Sequence, residues 1–131
     1  STATKGMATQ LDVPVISLAQ LNRGISARED KRPMLADLKD SSQIEQDSDQ
    51  VVFCHREEYW LERDQPKKGA DPETRNDYEV ALKAVKGQVE LIVAKNRHGS
   101  LGTAKLELDA ATNTMKEIYG NDRTQHGMDF A

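Results

Sequence analysis

The chain contains 131 residues, of which 37% are hydrophobic and 31% are charged, and its formal net charge at pH 7 is −4. This length and composition fit one folded domain and exclude a wholly disordered chain. The acidic balance excludes binding to nucleic acid or to an anionic membrane through a global positive field, so any such contact has to be local.

The sequence carries no transport or anchoring signal. It has no signal-peptide-like start, and no apolar run approaches the roughly 20 residues needed to cross a bilayer, so we expect a cytoplasmic location and no membrane contact. Cys54 is the only cysteine, which excludes an intrachain disulfide, and within the apolar residues 51–54 we expect it to be a small buried hydrophobe. Because the chain begins with Ser1 instead of methionine, we expect it to be part of a longer protein.

The first part of the chain predicts a helix, a strand and a loop. Residues 2–11 are typical of the end of an amphipathic helix. Residues 13–18 are apolar on both faces, which predicts a central strand of a parallel sheet covered by helices. Residues 22–33 are rich in Arg and Lys and predict a mobile basic loop. A helix followed by a buried strand indicates the α/β class.

The middle of the chain predicts helices around a strand. Residues 34–38 predict one short helix, and a second is expected to begin at residues 42–45, which match the capping-box pattern. Residues 51–54 predict a strand. A longer helix is expected over residues 71–86, with Gly87 placed to terminate it.

The last part predicts strands at a sheet edge. Residues 91–94 are apolar throughout, whereas residues 102–108 alternate and predict a half-exposed strand. Turn-forming residues 109–113 separate the latter from residues 115–119, which predicts a β-hairpin. Residues 121–131 are expected to form a flexible tail.

No catalytic motif is complete in the chain. It contains no Gly-x-x-x-x-Gly-Lys-Ser/Thr sequence, so it cannot build a phosphate-binding loop by itself. The histidines are scattered and the cysteine is alone, so we expect no metal site. Cys54 and His55 are neighbours in a predicted strand, and their side chains should therefore point to opposite faces and cannot share a proton.

Three polar side chains at strand ends could bind an anion. Lys95 and Arg97 lie two residues apart at the end of the strand 91–94 and project from one face, so both cations can converge on one anion. Gln20 follows the first predicted strand at a comparable position. The alternative is that all three are solvated groups where strands leave the sheet.

A second set could bind phosphate. It consists of the basic loop, which includes Arg23, together with Lys39, Ser41 and Ser42 at a predicted helix start, where unpaired backbone N–H groups attract anions. The alternative is an ordinary capped helix beside a solvated loop.

Three strings of the sequence resemble motifs of one family. VPVISLAQLNR (residues 13–23) is similar to a strand and sensor motif that usually ends Ser-Gln-Leu-Asn-Arg. KRP (31–33) and DLKDSSQIEQDSD (37–49) resemble Lys-Arg-Pro and Asp-Leu-Arg-Glu-Ser-Gly-x-Ile-Glu-Gln-Asp-Ala-Asp. AKNRHGSLGT (94–103) resembles Lys-Gln-Arg-Asn-Gly-Pro-Ile-Gly-Thr. The family is that of the DnaB-type replicative hexameric DNA helicases.

The resemblance implies an α/β fold, namely the C-terminal part of a RecA-like motor with a mainly parallel sheet, flanking helices and a terminal β-hairpin. Residues 1–120 would form this part, with an insertion at 66–88. The implied enzyme is an ATP-dependent helicase that unwinds duplex DNA by translocating on single-stranded DNA as a homo-hexameric ring, with a primase and a helicase loader as possible partners. ATP and Mg²⁺ would be held mainly by a missing upstream segment and the neighbouring subunit, so this fragment alone is not expected to hydrolyse ATP.

The resemblance also implies roles for the strand-end residues. Arg97 matches the family's arginine finger, which reaches the ATP of the neighbouring subunit, and Lys95 matches the lysine beside it on the γ-phosphate. Gln20 corresponds to the sensor glutamine, which couples the phosphate site to the DNA-binding loops.

Lys39, Asp40 and Ser42 fall on the family's DNA-contacting loop, and Arg23 is assigned to DNA binding with them. Lys39 replaces the usual arginine and loses its bidentate geometry, while Ser42 replaces the usual glycine and hinders close approach of the backbone to a phosphate.

Two other hypotheses remain open from the sequence. The chain could be a non-catalytic module that binds DNA or docks on helicase subunits, an interpretation that the absence of a phosphate-binding loop supports. It could also belong to a related RecA-like recombinase or clock ATPase, although such proteins should lack the string IEQD at residues 44–47.

Overall fold

The computed structural model describes residues 2–38, 41–118 and 128–130, and the side chains of residues 3–38 and 43–118. Two turns of 3-10 helix cover Arg23–Ala27 and Leu35–Asp37. The helices and strands, in chain order, are α1 (Thr2–Leu11), α2 (Ser41–Asp47), β1 (Gln50–His55), α3 (Glu57–Arg63), α4 (Pro72–Val85), β2 (Gln88–Asn96), β3 (Gly102–Asp109), β4 (Thr114–Glu117) and β5 (Met128–Phe130).

The sheet has the strand order β1-β2-β3-β4, and β5 pairs with β3. The predicted hairpin is confirmed, because β3 and β4 are antiparallel with Leu106 opposite Glu117 and Asp109 opposite Thr114. The prediction of a mainly parallel arrangement is wrong for these strands, which run antiparallel. Short turns join β2 to β3 and β3 to β4, and such turns connect antiparallel neighbours, whereas parallel neighbours require a long crossover.

Residues 13–18, predicted as a buried strand, form no strand in the described part of the chain. Their side chains are exposed, with Ile16 at 91% and Leu18 at 98% of full exposure. A segment that is apolar on both faces needs covering layers and strand neighbours on either side. None of the described strands supplies them, so the segment is extended and uncovered.

The described residues divide into two compact units. The first contains Ser1–Phe53 and Val93–Gly102, and its buried apolar side chains include Ile25, Leu38 and Phe53. The second contains Cys54–Ile92 and Thr103–Phe130, in which Val89 is the most deeply buried side chain among those described.

In the first unit, the predicted mobile basic loop is instead a structured segment. Ile25 is buried within the first 3-10 turn. Arg28 donates from Nη1 and Nη2 to the two carboxylate oxygens of the largely buried Asp37, at 3.0 and 2.9 Å. It also donates from Nε to the Asp30 carbonyl and from Nη2 to the Arg32 carbonyl, at 3.2 and 2.8 Å. The prediction missed this network because Asp37 lies outside the basic stretch.

The strand β1 shows why the prediction of a buried cysteine is wrong. Val51, Phe53 and His55 are buried, whereas Val52 and Cys54 are exposed. Successive side chains of a strand point to opposite faces, so the apolar run places Cys54 on the uncovered face. The expected separation of Cys54 from His55 is confirmed, and His55 Nε2 lies 2.9 Å from the Glu57 carboxylate.

In the second unit, α3 and α4 pack together. The helix α4 is confirmed in detail: the Asp71 carboxylate accepts the Thr74 backbone N–H at 2.9 Å, Pro72 is the first helical residue, and Gly87 follows the helix at φ +69°. A positive φ costs glycine little, so Gly87 turns the chain directly into β2. The helix α3 was not predicted, because residues 57–63 carry no clear apolar period.

Among the described residues, no helix is long and apolar enough to cross a membrane.

Candidate functional site

The C-terminal end of α2 is covered by the two cations that the sequence singles out. An α-helix leaves its last carbonyl groups without helical partners. The Ile44 carbonyl accepts the Ser48 N–H at 3.1 Å, which leaves the next two carbonyls free for other donors. The Lys95 ammonium donates to the Glu45 carbonyl, and Arg97 Nη2 donates to the Gln46 carbonyl at 3.2 Å. The prediction that Lys95 and Arg97 project from one face and converge is therefore confirmed.

Arg97 is held at three points. Its backbone N–H donates to the Asp49 carbonyl at 2.9 Å, which fixes the end of β2 next to the start of β1. Its Nη1 donates to Asp49 Oδ1 at 2.6 Å, and its Nη2 donates to the Gln46 carbonyl. The neighbouring side chains of Gln50 and Asn96 are also hydrogen-bonded, at 3.2 Å. The guanidinium thus has a defined position, although it lies at the surface.

The electrostatics of this end suit an anion. Positive side chains are favoured at a helix C-terminus, because the dipole carries partial negative charge there. The Arg97 and Asp49 side chains are 42% and 58% exposed, so water can reach both. A guanidinium has five N–H donors, and the described hydrogen bonds of Arg97 use two of them. Three donors remain for a further anion.

Gln20 and Arg23 lie apart from this arrangement. Gln20 is exposed in the extended segment before the first 3-10 turn, and Arg23 is the exposed first residue of that turn. In the part of the chain that the structure describes, no hydrogen bond or ion pair joins either residue to Lys95 or Arg97. Their assigned roles stay predictions.

The predicted DNA-contacting loop can be placed only by its neighbours. Lys39 and Asp40 lie outside the described residues, and the side chain of Ser42 is likewise not described. The helix predicted there is confirmed, because α2 begins at Ser41. Leu38, just before the loop, is buried, and the β-bridge from Leu38 to Leu21 anchors that end.

The described residues fit a phosphate better than a metal ion. Over residues 2–38 and 41–118, no group of three or more His, Cys, Asp or Glu side chains could hold a metal. Mg²⁺ requires oxygen ligands, whereas the side chains that converge here are an ammonium and a guanidinium. We derive no step through Mg²⁺ from this chain.

Sequence reasoning missed Asp49 as the partner of Arg97. The two residues are far apart in the chain, and only the antiparallel register of β1 and β2 brings them together. The signal that could have found the pair is the position of Asp49 directly before β1, opposite the end of β2.

The comparisons with known proteins define the class. The model of the DnaB-like helicase C-terminal domain matches residues 1–117. The chain belongs to this family.

Its relatives are replicative helicases. The chain is 42% identical over 109 residues to the replicative DNA helicase DnaB of Rickettsia bellii, covering 81% of this chain and 22% of the relative. It is 39% identical over 106 residues to DnaB of Geobacillus stearothermophilus, covering 81% and 19%. The chain therefore spans about a fifth of the length of these relatives.

Two solved structures are similar in fold. One is a DnaB-like replicative helicase described with its interactions with primase, which has a TM-score of 0.71 at 35% identity and covers 91% of this chain and 24% of that one. The other is an isolated ATPase domain, with a TM-score of 0.69 at 36% identity, covering 90% of this chain and 35% of that one. These matches confirm the predicted relation to helicase motor domains.

Proposed function

We propose that this chain is the part of an ATP-dependent replicative DNA helicase that supplies the arginine finger, the sensor glutamine and the DNA-binding loop. The observation that carries the proposal is the convergence of Lys95 and Arg97 on the end of α2. Family membership adds that the relatives are named replicative DNA helicases.

Arg97 would act on the ATP bound by a neighbouring subunit. A guanidinium on the transferring phosphoryl group stabilises the charge that develops in the transition state, an effect of about 10³ to 10⁵ in rate. The three unused N–H donors of Arg97 are the ones available to phosphate oxygens. Lys95 would add a second positive charge on the same face of β2.

The remaining assigned residues would serve coupling and grip. The amide of Gln20 can donate and accept a hydrogen bond, so it can respond to loss of the γ-phosphate. Lys39, Asp40, Ser42 and Arg23 would hold the phosphates of single-stranded DNA, which gives grip without sequence preference.

The whole enzyme would be a homo-hexameric ring that translocates on single-stranded DNA and hydrolyses ATP with Mg²⁺. The chain itself contains no Gly-x-x-x-x-Gly-Lys-Ser/Thr sequence, so the phosphate-binding loop has to come from elsewhere. One of the similar structures is a helicase described with its interactions with primase, which supports primase as a partner. A helicase loader is a further proposed partner, and a cytoplasmic location fits this role.

The test is a chimera in which residues 1–117 replace the matching part of the Geobacillus stearothermophilus helicase. We expect Arg97→Ala to reduce DNA-stimulated ATP hydrolysis by about 10³-fold while ATP binding is retained, because the lost interaction forms in the transition state. Arg75→Ala is the matched control, since Arg75 is an exposed arginine on α4. Equal hydrolysis rates for the Arg97→Ala chimera and its parent would refute the assignment.

The second candidate is a non-catalytic module that docks on helicase subunits or binds DNA. The absence of a phosphate-binding loop favours it. Retained DNA binding by a chimera that hydrolyses ATP equally well with and without the Arg97→Ala substitution would support this module.

A further inference from the structure

We infer that Asp49 is a positioning residue for Arg97, which it holds in the orientation that an arginine finger needs. This inference rests on the proposed function. Asp49 touches Arg97 twice, through its carbonyl to the Arg97 backbone N–H and through Oδ1 to Nη1, at 2.9 and 2.6 Å.

The geometry leaves the guanidinium oriented and still able to bind. Asp49 holds Nη1, and the Gln46 carbonyl holds Nη2. Two acceptors on two different nitrogens fix the plane of the group, because a guanidinium is rigid and planar. Each Nη carries a second N–H, and Nε carries one more, so a phosphate can bind without displacing Asp49.

Asp49 also joins this orientation to α2. It follows the last residue of α2 closely and directly precedes β1. The α2 carbonyls of Glu45 and Gln46 hold Lys95 and Arg97. A displacement of α2 would therefore move both cations and Asp49 together. Lys5 Nζ lies 4.0 Å from Asp49 Oδ1, which is too distant to replace Arg97 as its partner.

The test is a double-mutant cycle in the same chimera. We expect Asp49→Ala to lower the rate constant for ATP hydrolysis by about 10- to 100-fold when Arg97 is present, since a small misplacement of a catalytic group costs that much. The KM for ATP should stay unchanged. When Asp49→Ala is combined with Arg97→Ala, it should have no further effect, because its target is gone. Asp49→Asn retains an acceptor oxygen and should restore most of the rate.

The outcomes separate this inference from the proposed function. If Arg97→Ala has no effect, the finger assignment fails and the inference with it. If Arg97→Ala is severe but Asp49→Ala lowers the rate equally with and without Arg97, Asp49 has only a structural role and the inference fails alone. A higher rate for Asp49→Ala would show that the carboxylate competes with phosphate, which also overturns it. Thermal unfolding of each variant checks that the chimera remains folded.

Discussion

Two arginine–aspartate pairs lie in the first unit, and they differ in every respect that decides function. Arg28 uses four of its five N–H donors on Asp37 and two carbonyls, and the two side chains are 31% and 11% exposed. Arg97 uses two donors, and the Arg97 and Asp49 side chains are 42% and 58% exposed. The first pair is saturated and holds a loop closed, whereas the second has capacity for another ligand.

The largest expected effect that separates the pairs concerns stability. Arg28→Ala leaves the largely buried Asp37 carboxylate without its cation, so we expect it to lower the free energy of unfolding by about 2–3 kcal/mol. Arg97→Ala removes an exposed pair and should change that free energy by no more than about 0.5 kcal/mol. Urea unfolding of the 131-residue chain measures both.

The comparison would break if the two variants unfolded at the same urea concentration. Arg28→Lys serves as the matched control, because it keeps the charge and loses the bidentate geometry. Its stability should fall between that of the parent and that of Arg28→Ala.

A smaller effect is expected from salt. In about 1 M salt the Debye length is about 3 Å, so exposed pairs are screened and buried pairs much less so. The guanidinium of Arg97 should then rotate more freely, whereas that of Arg28 should not, as NMR of the guanidinium N–H groups can measure. Asp49→Asn should give the high-salt behaviour of Arg97 already at low salt. Equal responses of the two arginines would contradict the difference in accessibility.

The smallest effect concerns aspartates that have no arginine partner. The backbone and side chain of Thr74 donate to Asp71 and lower the pKa of that carboxyl below its ordinary value of 3.8. The side-chain hydroxyl of Thr112, followed by the backbone N–H groups of Ala111 and Thr112, lowers the pKa of Asp109 in the same way.

Because each folded pKa is lowered, the carboxylate stabilises the fold above pH 3.8, and this contribution is lost as the pH falls through the folded value. Carbon-13 NMR titration should place both midpoints below 3.8. Asp71→Asn keeps a helix cap and should remove the contribution of that residue to the pH dependence. Midpoints at or above 3.8 would show that these hydrogen bonds do not form in solution.

The sequence predicts the elements whose determinants are local. The helix α4 follows from its Asp71 cap and Gly87 stop, and the β3–β4 hairpin follows from alternation and turn residues. The convergence of Lys95 and Arg97 follows from the two-residue period of a strand. These features depend on residues that are close in the chain.

What escaped prediction depends on distant partners. The strand expected at residues 13–18 requires neighbours that the described residues do not include. The link between Arg97 and Asp49 depends on the register of β1 and β2, which local patterns do not specify. The domain boundary near residue 120 and the insertion at residues 66–88 stay predictions.

The uncovered run at residues 13–18 also affects how long such a chain would survive in a cell. Ile16 and Leu18 present their whole side chains to solvent within an extended, unpaired backbone. Chaperones and proteases act on chains that display apolar segments of this kind. Until some partner surface covers this run, quality control would decide the abundance of the chain.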